Sequence, residues 1–424
     1  MKPTCLIAAI TLCMALTSTQ AQTNLNRYAL TGVTLIDANH IPGLAHQTVV
    51  IRNSKIEEIF LDGTRTLPDT VSILPAIGKY LIPGLIDTHV HMATDPSGTD
   101  NRANTLKVLE RMLRSGITTV RDMAGDARVL AGLSRDARTG DILSPDIYYS
   151  ALMAGPEFFT DPRTHSSTAA GVAGEMPFMR AVTPTTDFTL AVAEAKGTGA
   201  TGIKLYADID PVTVEKIVFE AKRQGLLVWG HAWLQQARPS DLIKAGVSSI
   251  SHAPLLLYET MDSIPTTWKL GHHDGKFWDD HVHADPTMLA NMKAHHTILD
   301  ATFLTYERLG SQDSSRRYIV PIIRRLTAQA YKAGVTICTG TDDDQEVFVQ
   351  GEMAALVKDA GFSNADALIA ATRNGARALG IESTAGTIET GKTADLVVLN
   401  NNPLEDIDNI NTVYLVIKAG KLFR

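Results

Sequence analysis

Six residues with metal-binding or nucleophilic side chains stand near the ends of short apolar runs. His89 and His91 lie in DTHVH, Lys204 in TGIKLYAD, His231 after LLVWG, His252 after SSIS and Asp342 after ICTGT. In an extended strand, residues i and i+2 point to the same face, so His89 and His91 can aim two imidazoles at one cation. Imidazole and carboxylate ligands suit a divalent metal, zinc above all. Lys204 sits between Ile203 and Leu205, where an unpaired ammonium is costly to bury. It either snorkels outward or is chemically modified. Taken singly, each of these residues reads as structural sooner than functional. Taken together, four His, one Lys and one Asp recur at strand tips, which a random scatter of 13 His would rarely produce.

Those tips belong to a repeating pattern. Eight apolar runs follow one another between residues 80 and 343: YLIPGLIDTHVHM, GITTVRDMAG, DIYYSALMAGP, ATGIKLYAD, LLVWGHAW, VSSISHAPLL, TILDATFLTY and VTICTGTDD. Segments of helical texture separate them, such as NTLKVLERMLRSG and DPVTVEKIVFEAKRQG. The glycines after Ser115, Gln224 and Ala333 read as helix stops. Eight strand–helix units predict an α/β fold, a (β/α)8 barrel over residues 81–378. In such barrels chemistry sits at the C-terminal ends of the strands, where these polar residues fall. Residues 22–80 and 379–424 alternate β-branched and polar residues and predict one small β-sandwich domain formed from both termini.

Composition bounds the rest. The chain has 424 residues, 44% hydrophobic and 20% charged, with a formal charge of −7. This is globular composition with no basic stripe, so no nucleic-acid partner is expected. Residues 1–21 read as a secretory signal peptide, with Lys2, an apolar run from Leu6 to Leu16, and small residues Thr19 and Ala21 before the cleavage point. Export to the periplasm or the medium follows. Removal of the leader leaves Cys338 as the one cysteine, best read as barrel core. No other segment offers roughly 18 uninterrupted apolar residues, so no membrane span is expected.

The motifs PGLIDTHVHM, GIKLYAD, WGHAW, SISHAP and TGTD, in this order, resemble strands 1, 4, 5, 6 and 8 of the amidohydrolase superfamily of metal-dependent hydrolases, in its imidazolonepropionase/prolidase-like branch. The ends TGVTLIDA and GTIETGKTADLVVL resemble that family's outer domain, so the resemblance spans nearly all of the chain after the leader. It implies two divalent metal ions, zinc by ligand type. His89, His91 and Asp342 would hold the first and His231 and His252 the second. Lys204, carboxylated by CO2, would bridge them as a carbamate. A hydroxide bridging two cations would attack the substrate carbonyl, with Asp342 as general base.

Three further residues follow from position. His165, in TDPRTH after the third run, lies where prolidase-like relatives place a substrate-contacting His, although their GGH pattern is not kept. Tyr206 shares a strand face with Lys204 and is a candidate oxyanion donor. Arg121, at the tip of the second run, either clamps a substrate carboxylate or pairs with Asp122 to brace the mouth. Asp343 and Asp344 are assigned to loop or supporting roles. The His-rich stretch 268–287, with Trp268, Phe277 and Trp278, reads as a solvated loop over the active site or a subunit contact. His295 and His296 read as surface residues.

The expected activity is hydrolysis of an amide in a small peptide-like or N-acyl amino acid substrate, by a chain that associates with copies of itself. Alternatives are a cyclic amide, lactone, carbamate or urea as substrate, or a mononuclear deaminase, against which Lys204 argues. A catalytically dead binding protein on the same fold is disfavoured by the six intact ligand positions.

Overall fold

The computed structural model describes residues 26–93, 101–261, 282–342 and 348–423. The expected leader at 1–21, Asp343, Asp344 and the part of the His-rich stretch up to His281 lie outside the described residues.

Eight parallel strands form the barrel: Leu85–Val90, Ile117–Asp122, Asp146–Ala154, Gly202–Leu205, Leu227–His231, Ser249–Ser251, Ile298–Asp300 and Ile337–Cys338. Each pairs with the next. The eighth closes on the first through Thr88 N–H to the Thr339 carbonyl at 3.0 Å and Asp342 N–H to the His89 carbonyl at 2.8 Å. All residues of the first two strands are buried on both faces, as a parallel sheet covered by helices requires. The eight strands coincide with the eight apolar runs. The first run is divided, however. Tyr80–Pro83 pairs with Leu396–Leu399 in the outer sheet, and only Leu85–Val90 enters the barrel. Gly84 makes the crossing possible, because a Cβ there would lie 2.1 Å from Thr118 Oγ1.

The helices are cut by local chemistry. Asp126, Asp187, Asp210 and Asp285 each cap a helix N-terminus through the side chain, satisfying backbone amides that have no partner inside the helix. Gly225 closes its helix in the left-handed conformation. Among the described residues no helix is long and apolar enough to cross a membrane.

Strands from both termini make the eight-stranded outer sheet, five from residues 27–83 and three from 396–423. It folds over its own core of Tyr28, Leu30, Leu35, Val49, Ile51 and Leu396. Lys418 ties this small β-sandwich to the barrel. Its Nζ lies 2.6 Å from Asp146, at the start of the third barrel strand, and 3.0 Å from Asp395.

Candidate metal centre and active site

The C-terminal mouth of the barrel opens into a cavity of about 850 Å³. His89, His91, Lys204, Tyr206, His231, His252 and Asp342 all line it. The five strands that carry them are spread over residues 85–338, so only barrel closure brings the side chains together.

The imidazoles form an arc. Ring centroids are 5.3 Å apart for His91 and His89, 5.1 Å for His89 and His252, and 4.4 Å for His252 and His231. Tyr206 continues the arc 3.9 Å beyond His231. Asp342 reaches in from the eighth strand. Its Oδ1 lies 3.1 Å from His91 Nε2 and 3.5 Å from His89 Nε2. His89, His252 and Asp342 offer one ligand atom each within 4.8 Å of one another, close enough for one cation. This tightest trio takes members from both of the ligand sets that the family resemblance implies.

Protonation states fit metal binding, which needs neutral imidazole and ionised carboxylate. Burial pushes His252 down to about 3, aided by His89 and Lys204 and opposed by Asp342. Burial, His252 and Lys204 likewise hold His231 well below its ordinary value. For Asp342 burial works against ionisation, but His89, His91 and His252 win and hold the carboxyl low. His91 moves the other way. Burial opposes its charge, yet the Asp342 hydrogen bond and the charges of Asp342 and Asp122 raise it. His91 Nδ1 is buried with no hydrogen-bond partner among the described residues. Lys204 is fully buried, and burial brings its ammonium down to about 7, so a neutral amine is accessible. Its Nζ donates to Ser251 Oγ at 3.2 Å.

Surrounding groups orient the arc. Asp300 Oδ2 accepts from His89 Nδ1 at 2.7 Å, which directs His89 Nε2 at Asp342. Thr302 donates to the Ala301 carbonyl and lies 2.9 Å from His252 Nδ1, which is also 3.9 Å from Asp342 Oδ2. Asp87 accepts from the His89 and Thr341 amides at 3.1 Å each and from the Thr341 hydroxyl at 2.8 Å, locking the first strand to the eighth. His252, Thr302 and Asp342 all have positive φ, at 74°, 48° and 48°. Such backbone strain in non-glycine residues concentrates at functional sites.

Two expectations need correction. His165 is exposed and does not line the cavity. It lies on the short helix Pro162–Ser167, whose inward face is Arg163, Thr164 and Ser167. Neighbours on a helix diverge by about 100°, so a two-residue step from Arg163 turns His165 outward. Arg163 is therefore the cavity residue of that loop, held by Asp161 at 2.9 Å and in contact with Tyr206. Arg121 neither clamps substrate nor pairs with Asp122. It is fully buried beneath the site, over the Trp229 ring at 4.6 Å, and donates to the Thr88 carbonyl at 2.6 Å. Asp122 instead accepts from the Met92 and Ala124 amides. Cys338 is barrel core, against Thr88. His295 and His296 are exposed.

Sequence reasoning missed Asp300, which stands inside the seventh run TILDATFLTY and is the last residue of its strand. It also missed Tyr306, whose ring lies 5.9 Å from His252. That tyrosine ends the seventh apolar run, but the run's second half folds as the helix Phe303–Gln312 rather than as strand.

A buried His, Lys and Asp cluster at the C-terminal mouth of such a barrel defines a metal-dependent hydrolase. The chain belongs to the amidohydrolase family, whose family model matches residues 80–423, and is a hydrolase of C–N bonds. It is 26% identical over 390 residues to an ochratoxinase of Aspergillus niger, covering 81% of this chain and 75% of that protein. Among solved structures it is similar to an Xaa-Pro dipeptidase with methionine bound in its active site, with TM-score 0.77, 23% identity, and coverage of 94% of this chain and 100% of the other. It is also similar to a prolidase complexed with N-methylphosphonate-L-proline, with TM-score 0.74, 25% identity, and coverage of 94% and 99%.

Proposed function

We propose that the chain is an exported, binuclear amidohydrolase that cleaves the amide of a dipeptide or N-acyl amino acid. The observation that carries this reading is Lys204, a fully buried lysine that faces the same cavity as four imidazoles and Asp342. A lone ammonium there is costly. A carbamate on Nζ would convert it into an anion with two ligand oxygens. His89, His91 and Asp342 would hold one cation, His231 and His252 a second, and Lys204 would join them. Zinc fits this donor set. Two cations so held would lower the pKa of a water and polarise the scissile carbonyl.

The protein's own groups supply the rest. Asp342, ionised and within 3.5 Å of two imidazoles, is placed to take a proton from the attacking water and pass it to the departing nitrogen. Tyr206 lines the cavity beside Arg163 and is assigned as the donor for the carbonyl oxygen. Met123, Leu152, Phe158 and Leu255 give the cavity an apolar wall for a side chain or acyl group. Arg163 and Arg316 give it positive charge for a carboxylate. The names of the relatives, an ochratoxinase and an Xaa-Pro dipeptidase, support a small amide substrate. Export rests on the leader-like residues 1–21.

The test is metal content per chain on protein purified without chelator, together with hydrolysis of a panel of dipeptides and N-acyl amino acids. Two metals with amide turnover are expected. One metal would favour a deaminase, and two metals without amide cleavage would favour a lactone, carbamate or urea substrate.

A further inference from the structure

We infer that Asp300 is the positioning residue that couples the two halves of the metal centre, fixing His89 directly and Lys204 through the hydroxyl of Ser251. The inference rests on the binuclear reading above.

Asp300 ends the seventh strand, in register with Ser251 on the sixth and Cys338 on the eighth. It is fully buried and does not line the cavity, so it touches no substrate. Among the described residues its side-chain hydrogen bonds all fall on one oxygen, Oδ2. It accepts from His89 Nδ1 at 2.7 Å, from Ser251 Oγ at 3.1 Å and from Arg121 Nη2 at 3.4 Å. A carboxylate has no proton to give, so His89 carries its proton on Nδ1 and offers the lone pair of Nε2. A serine hydroxyl has one proton. Ser251 gives it to Asp300, and its lone pairs face Lys204 Nζ at 3.2 Å. One carboxylate oxygen thus sets the direction of a ligand in the His89, His91 and Asp342 set and of the lysine that would join the two cations.

The support below is rigid. Arg121 is held by the Thr88 carbonyl, by Ser249 Oγ at 3.2 Å, by the Ala378 carbonyl at 3.4 Å and by the face of Trp229. On the other side, Asp300 Oδ1 lies where a Cβ on Gly340 would approach to 2.3 Å, and it has no hydrogen-bond partner among the described residues. Apolar residues would fill this position at lower cost if packing were all that mattered, because a buried ion pair seldom beats hydrophobic isosteres. A carboxylate that orients a ligating imidazole typically changes metal affinity by roughly 10–100-fold when it is lost.

The experiment uses the full chain loaded with zinc and ¹³C-bicarbonate. Zinc affinities come from chelator competition, and the ¹³C signal reports carboxylation of Lys204. The ¹⁵N shifts of labelled histidines in metal-free protein report the His89 tautomer. Asp300→Asn is expected to weaken both zinc equivalents by roughly 10-fold or more and to mix the His89 tautomers. Ser251→Ala is expected to weaken zinc binding and lower the ¹³C signal while leaving the His89 tautomer as in wild type, with rescue by Ser251→Thr. Wild-type affinities and tautomer in Asp300→Asn would overturn the inference, as would a wild-type ¹³C signal or mixed His89 tautomers in Ser251→Ala. If Asp300→Asn does not fold, the two Ser251 variants decide. A single zinc and no ¹³C signal in the wild type would remove the binuclear reading itself.

Discussion

His91 Nε2 and Asp342 Oδ1 meet at 3.1 Å across the seam where the eighth barrel strand closes on the first. The residues are 251 positions apart. Their contact exists only because Asp342 N–H binds the His89 carbonyl and Asp87 ties down Thr341. The carboxylate proposed as general base is thereby held ionised and oriented by the fold itself.

Asp342→Asn keeps the shape and removes the proposed base. Turnover is expected to fall by a factor on the order of 10²–10⁴ while at least one metal stays bound. Steady-state kinetics with metal analysis on the same sample check this, and normal turnover in the variant would remove Asp342 as general base.

Lys204→Ala removes the group that would join the two cations. Metal content and activity are expected to drop together, activity by roughly 100-fold or more, beyond the usual loss from a supporting residue. Short carboxylic acids added to the assay are expected to restore part of both by standing in for the carbamate. Activity restored without metal would contradict this role.

His165→Ala and Arg163→Gln separate the expected cavity residue from the observed one. His165 is exposed, so its replacement is expected to leave kcat/KM within about twofold. Arg163 lines the cavity and contacts Tyr206. A lost charged hydrogen bond costs roughly 1.5–3 kcal/mol, so Arg163→Gln is expected to lower kcat/KM by about tenfold or more. The reverse order of effects would restore His165 to the site.

Gly340→Ala tests the space behind the arc. The new Cβ would lie 2.3 Å from Asp300 Oδ1 and 2.7 Å from His89 Cβ, so one of them must move. Overpacking of this kind costs about 1–3 kcal/mol. Lower thermal stability and weaker metal retention are expected together. A stable variant with wild-type metal content would show that the wall yields.

Glu352 supplies a pH signature away from the ligands. It is fully buried and accepts from the Phe303 and Leu304 amides, at the start of the helix that carries Tyr306. Burial raises its carboxyl to about 8 from 4.5, against those two amides. A carboxyl raised on folding contributes stability that is complete below pH 4.5 and is lost as the pH climbs through about 8. Denaturant unfolding at pH 5 and pH 8 is expected to show this loss in wild type and less of it in Glu352→Gln. Equal slopes in the two proteins would exclude Glu352 as the source.

The strands and the outer domain were legible because alternation and apolar runs are local properties of the chain. The six expected ligand positions, which share one cavity, stood out for a related reason, since a polar residue within or near the end of an apolar run is itself a local exception. His165 misled because helix phase, not residue type, decides which side chain of TDPRTH turns inward. Arg121 misled because a strand tip can point below the site as well as into it. Asp300 stands mid-run in TILDATFLTY and gained meaning only beside His89, 211 residues away.

By itself, then, the sequence determined eight strand–helix units, a domain drawn from both ends, and a set of metal-type side chains at strand tips. Tertiary structure decided which of those side chains share a cavity and which oxygen orients which imidazole. It also decided that Arg163 and not His165 faces inward. Periodicity is written residue by residue, whereas hydrogen-bond direction and facing depend on groups that meet only when the eighth strand closes on the first.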